Sequence, residues 1–428
     1  MISRPQYINK LIRKKENGMI KVITGIRRCG KSYLLFNIYY DYLKSQGIDD
    51  SHILGLALDE NKNAKYRNPI ELDAYIQSKI VDDQMHYVFL DEIQKVNDVP
   101  NPYVEGEKIG FVDVLLGLMK QKNLDVYVTG SNSKMLSSDI LTEFRGRGDE
   151  IRVNPLSYKE FYNAYEDKRN AWREYFTYGG MPFVATLQEH EDKQRYLHDL
   201  FEKVYLSDVL DRYKLFNEKT VLEDLLNIVS SSVGSLTNST KLSKAFASQK
   251  HVNVSDKSLS RYLEYFIDAF MLNKAQRYDI KGKRYIGTPL KYYFTDIGLR
   301  NARLNFRQQE ENHIMENIIY NELIQRGFSV DVGVVEYNTK DVNGKSKRTQ
   351  LEIDFVANNG SKRYYIQSAF AIPDGEKREQ ETRGFSRIPD SFKRIIVVRD
   401  NIIPWHDEQG VLYVGIEEFL LNGNSLEL

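Results

Sequence analysis

The sequence predicts an α/β fold whose first module is a parallel sheet built around a phosphate-binding loop. Three observations carry this expectation. Gly25-Ile26-Arg27-Arg28-Cys29-Gly30-Lys31-Ser32 spells GxxxxGK[ST] directly after the apolar run 20–23 and ahead of a helical stretch at 33–43. A second apolar run, Tyr87-Val88-Phe89-Leu90, ends in the carboxylate pair Asp91-Glu92. Strand-like runs at 19–23, 53–57, 87–90, 126–129 and 150–153 alternate with helical periodicity.

The chemistry explains the spelling of the loop. Gly25 and Gly30 permit backbone angles that a Cβ would block, so successive N–H groups converge on phosphates above a helix N-terminus. Lys31 reaches the β- and γ-phosphates and the Ser32 hydroxyl ligates Mg²⁺, while Arg27, Arg28, Cys29 and Tyr33 line the same nucleotide site. A turn that merely joins strand to helix would not need all four defining residues.

The run 87–90 reads as a buried parallel strand whose carboxyl end faces the nucleotide. Asp91 is then placed to hold the Mg²⁺, and Glu92 to polarise the attacking water, the step that separates hydrolysis from binding. The next strand ends in Thr129-Gly130-Ser131-Asn132, where Ser131 or Asn132 would sense the γ-phosphate; an Asx or Ser turn that only ends the strand is the competing reading. Arg145 and Arg147 follow, either as transition-state arginines acting within or between subunits or as solvated surface charges. The segment 97–110, with two prolines and two glycines, reads as a loop before a helix that starts at Phe111.

From 158 to about 227 the pattern is helical and aromatic-rich, with Leu197, Leu200, Phe201, Val204 and Tyr205 forming a core stripe. Residues from 230 to about 300 look like a winged helix. Leu259, Tyr262, Leu263 and Phe266 define the apolar face of its second helix, capped by Ser255 or Asp256. Lys257, Ser258 and Arg261 would face outward as a recognition surface, and Lys281, Lys283 and Arg284 would tip the wing. A winged helix that only connects domains or binds protein explains the same pattern. Strands are expected at 329–334, 351–357, 364–369 and 394–398.

Together these motifs, with Leu90-Asp91-Glu92-Ile93-Gln94, Gly146-Arg147, Pro155-Leu156-Ser157-Tyr158-Lys159-Glu160-Phe161, Tyr178-Gly179-Gly180-Met181-Pro182 and Tyr293-Phe294-Thr295-Asp296-Ile297-Gly298-Leu299, resemble a family of bacterial and archaeal AAA+-type ATPases. Those proteins carry a restriction-endonuclease-like C-terminal domain of unknown function, and the resemblance spans nearly the whole chain. It implies a P-loop AAA+-like core at 1–157, a helical lid at 158–229, a winged-helix module at 230–312 and a nuclease-fold domain at 313–428. Glu316, Asp354 and Gln367 fall where a PD-(D/E)xK enzyme places its acidic helix residue, metal aspartate and second carboxylate. Gln367 is neutral and Ala369 stands at the lysine position, so the site is expected to be degenerate unless a migrated lysine such as Lys377 compensates.

Length and charge set the outer bounds. At 428 residues the chain needs more than one core, and 60 basic against 60 acidic residues exclude a globally basic polymer-binding protein. One cysteine, Cys29, excludes an intramolecular disulfide, and neither an apolar leader nor a bilayer-length apolar run is present, so a cytoplasmic protein is expected. The resulting expectation is an ATPase using ATP and Mg²⁺ whose turnover is coupled to DNA or a protein partner, with no membrane and with homo-oligomers allowed. A nucleotide-gated switch with little turnover, or an ATP-regulated metal-dependent nuclease, are the rival readings.

Overall fold

Strands β1 (Ile20–Thr24), β3 (His86–Asp91) and β6 (Leu124–Thr129) are buried along their whole length, because helices cover both faces of the sheet they share. The computed structural model describes residues 2–131, 148–307, 310–340, 346–371 and 382–428. It divides into two units, the first made of 1–155 with 268–270, the second of the remaining residues.

In the first unit β2 (Ile53–Ala57) and β7 (Gly148–Arg152) complete a parallel sheet of order β2-β3-β6-β1-β7. Helices Pro69–Ser78 and Phe111–Met119 lay Leu72, Ile76, Val114, Leu115 and Leu118 against Val22, Val88, Leu90, Val126 and Val128. Each such side chain removed from water contributes roughly 1.5–3 kcal/mol. On the opposite face the helix at 31–45 packs aromatically, with Tyr39 5.8 Å from Phe89 and 5.0 Å from Tyr127 between ring centroids. The segment 97–110 holds a short hairpin of β4 (Val99–Pro100) and β5 (Lys108–Ile109), where the sequence suggested only a loop. Helix Pro5–Lys14 was not anticipated; Pro5 opens it at a position where the missing N–H costs nothing, and Tyr7 and Leu11 are its buried residues.

The second unit begins with helices Tyr158–Ala164, Ala171–Tyr178, 190–213 and Lys219–Ser231. The stripe expected on the third is buried at Leu197, Leu200, Phe201 and Tyr205 and half-buried at Val204. Helix Asp256–Asp268 buries the four apolar residues read from its periodicity, and Ser255 Oγ caps it by accepting from Ser258 N at 3.1 Å. A hairpin of β8 (Leu272–Asp279) and β9 (Arg284–Phe294) follows, and Thr237 bridges to Leu290.

This hairpin does not stand alone. It joins β10 (Ser329–Lys340), β11 (Ser346–Asn359), β12 (Lys362–Ala369), β13 (Lys393–Val398), β14 (Trp405–His406) and β15 (Leu412–Gly415) in one sheet of order β14-β15-β13-β12-β11-β10-β8-β9 among the described residues. Strands on either side of residue 312 thus hydrogen-bond directly, β8 running parallel to β10.

Two motifs in this unit meet as a clip. Buried Asp296 caps helix Ile297–Arg303 through Leu299 N and accepts from Gly180 N at 2.7 Å, while Leu156 N donates to Gly180 O at 2.7 Å. No helix among the described residues is long and apolar enough to cross a membrane.

Candidate functional site

The carboxyl ends of β1, β3 and β6 converge where open parallel sheets bind ligands. After β1 the chain turns through Gly25 at φ 137°, where a Cβ would stand 2.1 Å from Val153 O, and Gly30 at φ 98°. Both glycines are therefore required for the turn itself. The helix starts at Lys31, whose buried ammonium donates to Gly25 O at 2.9 Å and Ile26 O at 3.2 Å. A cavity of about 260 Å³ opens above it, lined by Arg27, Arg28, Ser32 and Tyr33 on one side and Asp59, Asp91 and Glu92 on the other.

Asp91 is buried at the end of β3, and its carboxylate accepts from the Thr129 hydroxyl. Burial pushes the Asp91 carboxyl above its ordinary range, against the pull of the Thr129 and Ser32 hydroxyls. Glu92 follows in the left-handed region at φ 54°, held there by Glu92 N donating to Thr129 Oγ1 at 3.0 Å. Such a conformation is costly for a glutamate and aims its side chain into the cavity. Burial raises its pKa as well, with the Lys31 charge opposing. Gln94 Nε2 donates to the Glu92 carboxylate.

Three carboxylates thus share one cavity with the Ser32 hydroxyl, two of the acids pushed up by burial, with the Asp59 charge raising Asp91 further. Carboxylate and hydroxyl oxygens are the donors Mg²⁺ prefers, and Ser32 and Asp91 are placed to hold it, while Arg27, Arg28 and Lys31 on the same cavity suit phosphate.

Sequence reading missed two members of this site. Asp59 reaches it because Leu58 N donates to Asp91 O at 3.1 Å, tying the end of β2 to β3; its position just past a strand was the available signal. Thr129 was read as part of a sensor motif, whereas its hydroxyl joins Asp91 to the backbone of Glu92. Ser131 is buried beyond the end of β6. Asn132, Arg145 and Arg147 lie outside the described residues.

A brace supports the loop from behind. Arg4 donates from Nη1 to Cys29 O at 3.1 Å and from Nη2 to Asn154 O at 2.8 Å, and Tyr7 OH accepts from Asn154 N at 3.0 Å. Cys29 itself is fully buried, its Sγ 3.2 Å from Val153 O, so the side chain packs beneath the loop rather than facing the cavity.

In the second unit Asp354 and Gln367 come together, with Glu316 nearby. Gln367 Oε1 accepts from Asp354 N at 3.3 Å, and Asp354 Oδ2 accepts from Ser368 N at 2.9 Å. The cation beside them is Lys291 of β9: its ammonium lies 2.8 Å from Glu316 Oε1, 2.7 Å from Glu352 Oε1 and 3.7 Å from Asp354 Oδ1. Tyr293 OH also donates to Glu316 Oε1, at 2.6 Å. Burial raises the Asp354 carboxyl, reinforced by neighbouring Glu316. Burial alone would raise Glu316 too, but Lys291, His313 and Tyr293 hold it below its ordinary value. Lys377 lies outside the described residues.

The remaining candidates are on the surface. Lys257, Arg261, Lys281, Lys283 and Arg284 are exposed, Ser258 is half-buried, and Arg284 Nε stands 3.5 Å from Asp279 Oδ2.

A glycine phosphate loop, its lysine and an acidic strand end on a five-stranded parallel sheet define a nucleotide-binding P-loop ATPase domain. Residues 17–162 match the AAA domain, and residues 169–310 match a domain of unknown function. The chain belongs to one family with an uncharacterized protein of Haemophilus influenzae, to which it is 34% identical over 404 residues covering 93% of each. An uncharacterized protein of Methanocaldococcus jannaschii is 27% identical over 408 residues, covering 91% of this chain and 82% of its own. Among solved structures, the Cdc6p of Pyrobaculum aerophilum is similar at a TM-score of 0.32 and 11% identity over 74% of this chain and 94% of its own.

Proposed function

We propose that this protein is a Mg²⁺-dependent ATPase that couples nucleotide turnover to binding of DNA or a protein partner. The observation that carries the catalytic part is the convergence of Lys31, Ser32, Asp91 and Glu92 on one cavity, with Thr129 tying the Asp91 carboxylate to the Glu92 backbone. Lys31 and the loop N–H groups bind the phosphates, Ser32 and Asp91 hold Mg²⁺, and Glu92 orients water for attack. Bound Mg²⁺ would supply charge neutralisation on the β- and γ-phosphates. Ser131, Asn132 and Arg147 are assigned the sensing and charge-stabilising roles. Phosphate release from ATP by the purified chain, lost in Lys31→Ala, tests the reading; equal turnover in the two proteins would overturn it.

The switch reading has one observation in its favour. Gln94 donates to one oxygen of the Glu92 carboxylate and so competes with water for it. A partner that moves Gln94 would then accelerate turnover, and Gln94→Ala would do so without it. The nuclease-like domain is assigned a binding role. Lys291 sits among the carboxylates that would otherwise hold metal and offsets part of their charge, Gln367 adds none, and incubation of DNA with Mg²⁺ or Mn²⁺ is expected to leave it intact.

A further inference from the structure

At the amino ends of β2 and β3, on the sheet edge opposite the nucleotide cavity, two imidazoles and a carboxylate meet. His52 directly precedes β2, His86 opens β3, and Asp82 lies in the turn before it. One donor atom from each lies within 4.8 Å of the others, and the two rings face each other with centroids 4.7 Å apart. His86 is buried and the His52 side chain is only 12% exposed.

Hydrogen-bond partners orient both rings. Gln84 O can only accept, so His86 Nδ1, 2.8 Å away, carries the hydrogen; Val81 N can only donate, so Nε2, at 3.2 Å, is the bare nitrogen. His52 Nδ1 lies 3.1 Å from the Ser51 hydroxyl, which also reaches Asp49 Oδ1 at 2.8 Å. Its Nε2 faces both oxygens of Asp82, each 3.1 Å away; a carboxylate can only accept, so without a metal this nitrogen donates, and a metal would take the place of that hydrogen.

In both rings Nδ1 is tied to an oxygen outside the cluster, the pattern by which outer partners orient histidine ligands, and the Nε2 of His52 points at Asp82. We propose that His52, His86 and Asp82 form a binding site for a borderline divalent transition metal of the Zn²⁺ class, separate from the Mg²⁺ of the nucleotide cavity. Imidazole donors select such ions over Mg²⁺, and three protein ligands leave a fourth position for water. The Val81 N–H contact to His86 gives way when the metal takes that nitrogen. Binding would pin the 81–86 turn to the ends of two adjacent strands.

The test uses the full chain, without a histidine tag and stripped with chelator, titrated with Co²⁺ as an optical probe and with Zn²⁺ by calorimetry, in the absence of nucleotide. One Co²⁺ per chain with a visible absorption band, displaced by Zn²⁺, is expected. His52→Gln and Asp82→Asn should each weaken binding on the order of 10- to 100-fold. Both substitutions lie near the surface edge, and fluorescent ATP-analogue binding, measured alongside, should be unchanged and show that the fold is intact. No uptake by the wild type at millimolar metal, or equal uptake by wild type and both variants, would overturn the assignment and leave His52 as a hydrogen-bond partner of Asp82.

Discussion

The Lys291 ammonium sits 2.8 Å from Glu316 Oε1, joining an edge strand to a helix at a point where both side chains are almost fully buried. Glu352 and Asp354 complete the ring of charge around it. Removing the cation leaves several carboxylates without compensation in a low-dielectric site. Lys291→Met should therefore destabilise the protein by about 3–5 kcal/mol. Urea denaturation measures this, and the Lys291→Met, Glu316→Gln double variant should lose less than the sum of the single losses. A loss below about 1 kcal/mol would mean that the pair is screened by solvent.

Glu92→Gln should leave ATP-analogue binding intact and lower turnover by about 10²- to 10⁴-fold, because only the water-polarising charge is lost. Thr129→Val removes the hydroxyl that joins Asp91 to Glu92 N, and should lower turnover by roughly 10- to 100-fold. Single-turnover phosphate release separates these effects from binding. Wild-type rates in Thr129→Val would remove this link from the mechanism.

Arg4→Ala deletes two charge-assisted hydrogen bonds to carbonyls behind the phosphate loop. A loss of roughly 1.5–3 kcal/mol for each such bond is the expected range, with weaker nucleotide binding as the loop loosens. Arg4→Lys should not restore it, since a point charge cannot span both carbonyls. Thermal melting and fluorescent-nucleotide titration read the two effects.

Burial pushes the Asp296 carboxyl up to about 6, above its ordinary 3.8, despite three backbone N–H donors. The folded state then holds its proton more tightly than the unfolded chain. This stabilisation is fully present below the unfolded pKa and is lost as pH rises through about 6. The loss is of order 3 kcal/mol. Relative to Asp296→Asn, which does not titrate, wild-type stability should fall between pH 4 and 6 and run parallel above; a constant difference would contradict the burial effect.

If DNA is the partner, Lys281, Lys283 and Arg284 contact phosphate from an exposed hairpin tip. Replacing all three by alanine should make the dependence of log affinity on log salt shallower by up to about three units. Anisotropy titrations at several salt concentrations decide this. An unchanged slope would assign the hairpin to a role within the sheet.

The phosphate loop was legible because it is local: eight consecutive residues specify the turn, the lysine and the helix start, and backbone sterics leave little choice. The acidic strand end was legible for a related reason, since an apolar run closing on two carboxylates encodes both burial and direction. Periodicity also located the face of helix Asp256–Asp268, where the four residues read as apolar face are all buried. Strand ends shifted by one to several residues, where propensity gives way to hydrogen-bond pairing.

Tertiary structure decided what no local pattern contains. Arg4 meets Asn154 across 150 positions, and Thr129 meets Asp91 across 38. The sequence named Glu316 and Asp354 and offered Lys377, which lies outside the described residues, as their cation; the fold places Lys291 of β9 beside them. The physical reason is the same in each case. Backbone conformation is set within a few residues, whereas the partner of a buried charge is set by which strands and helices pack together, and only that packing determines which ammonium a buried carboxylate finds.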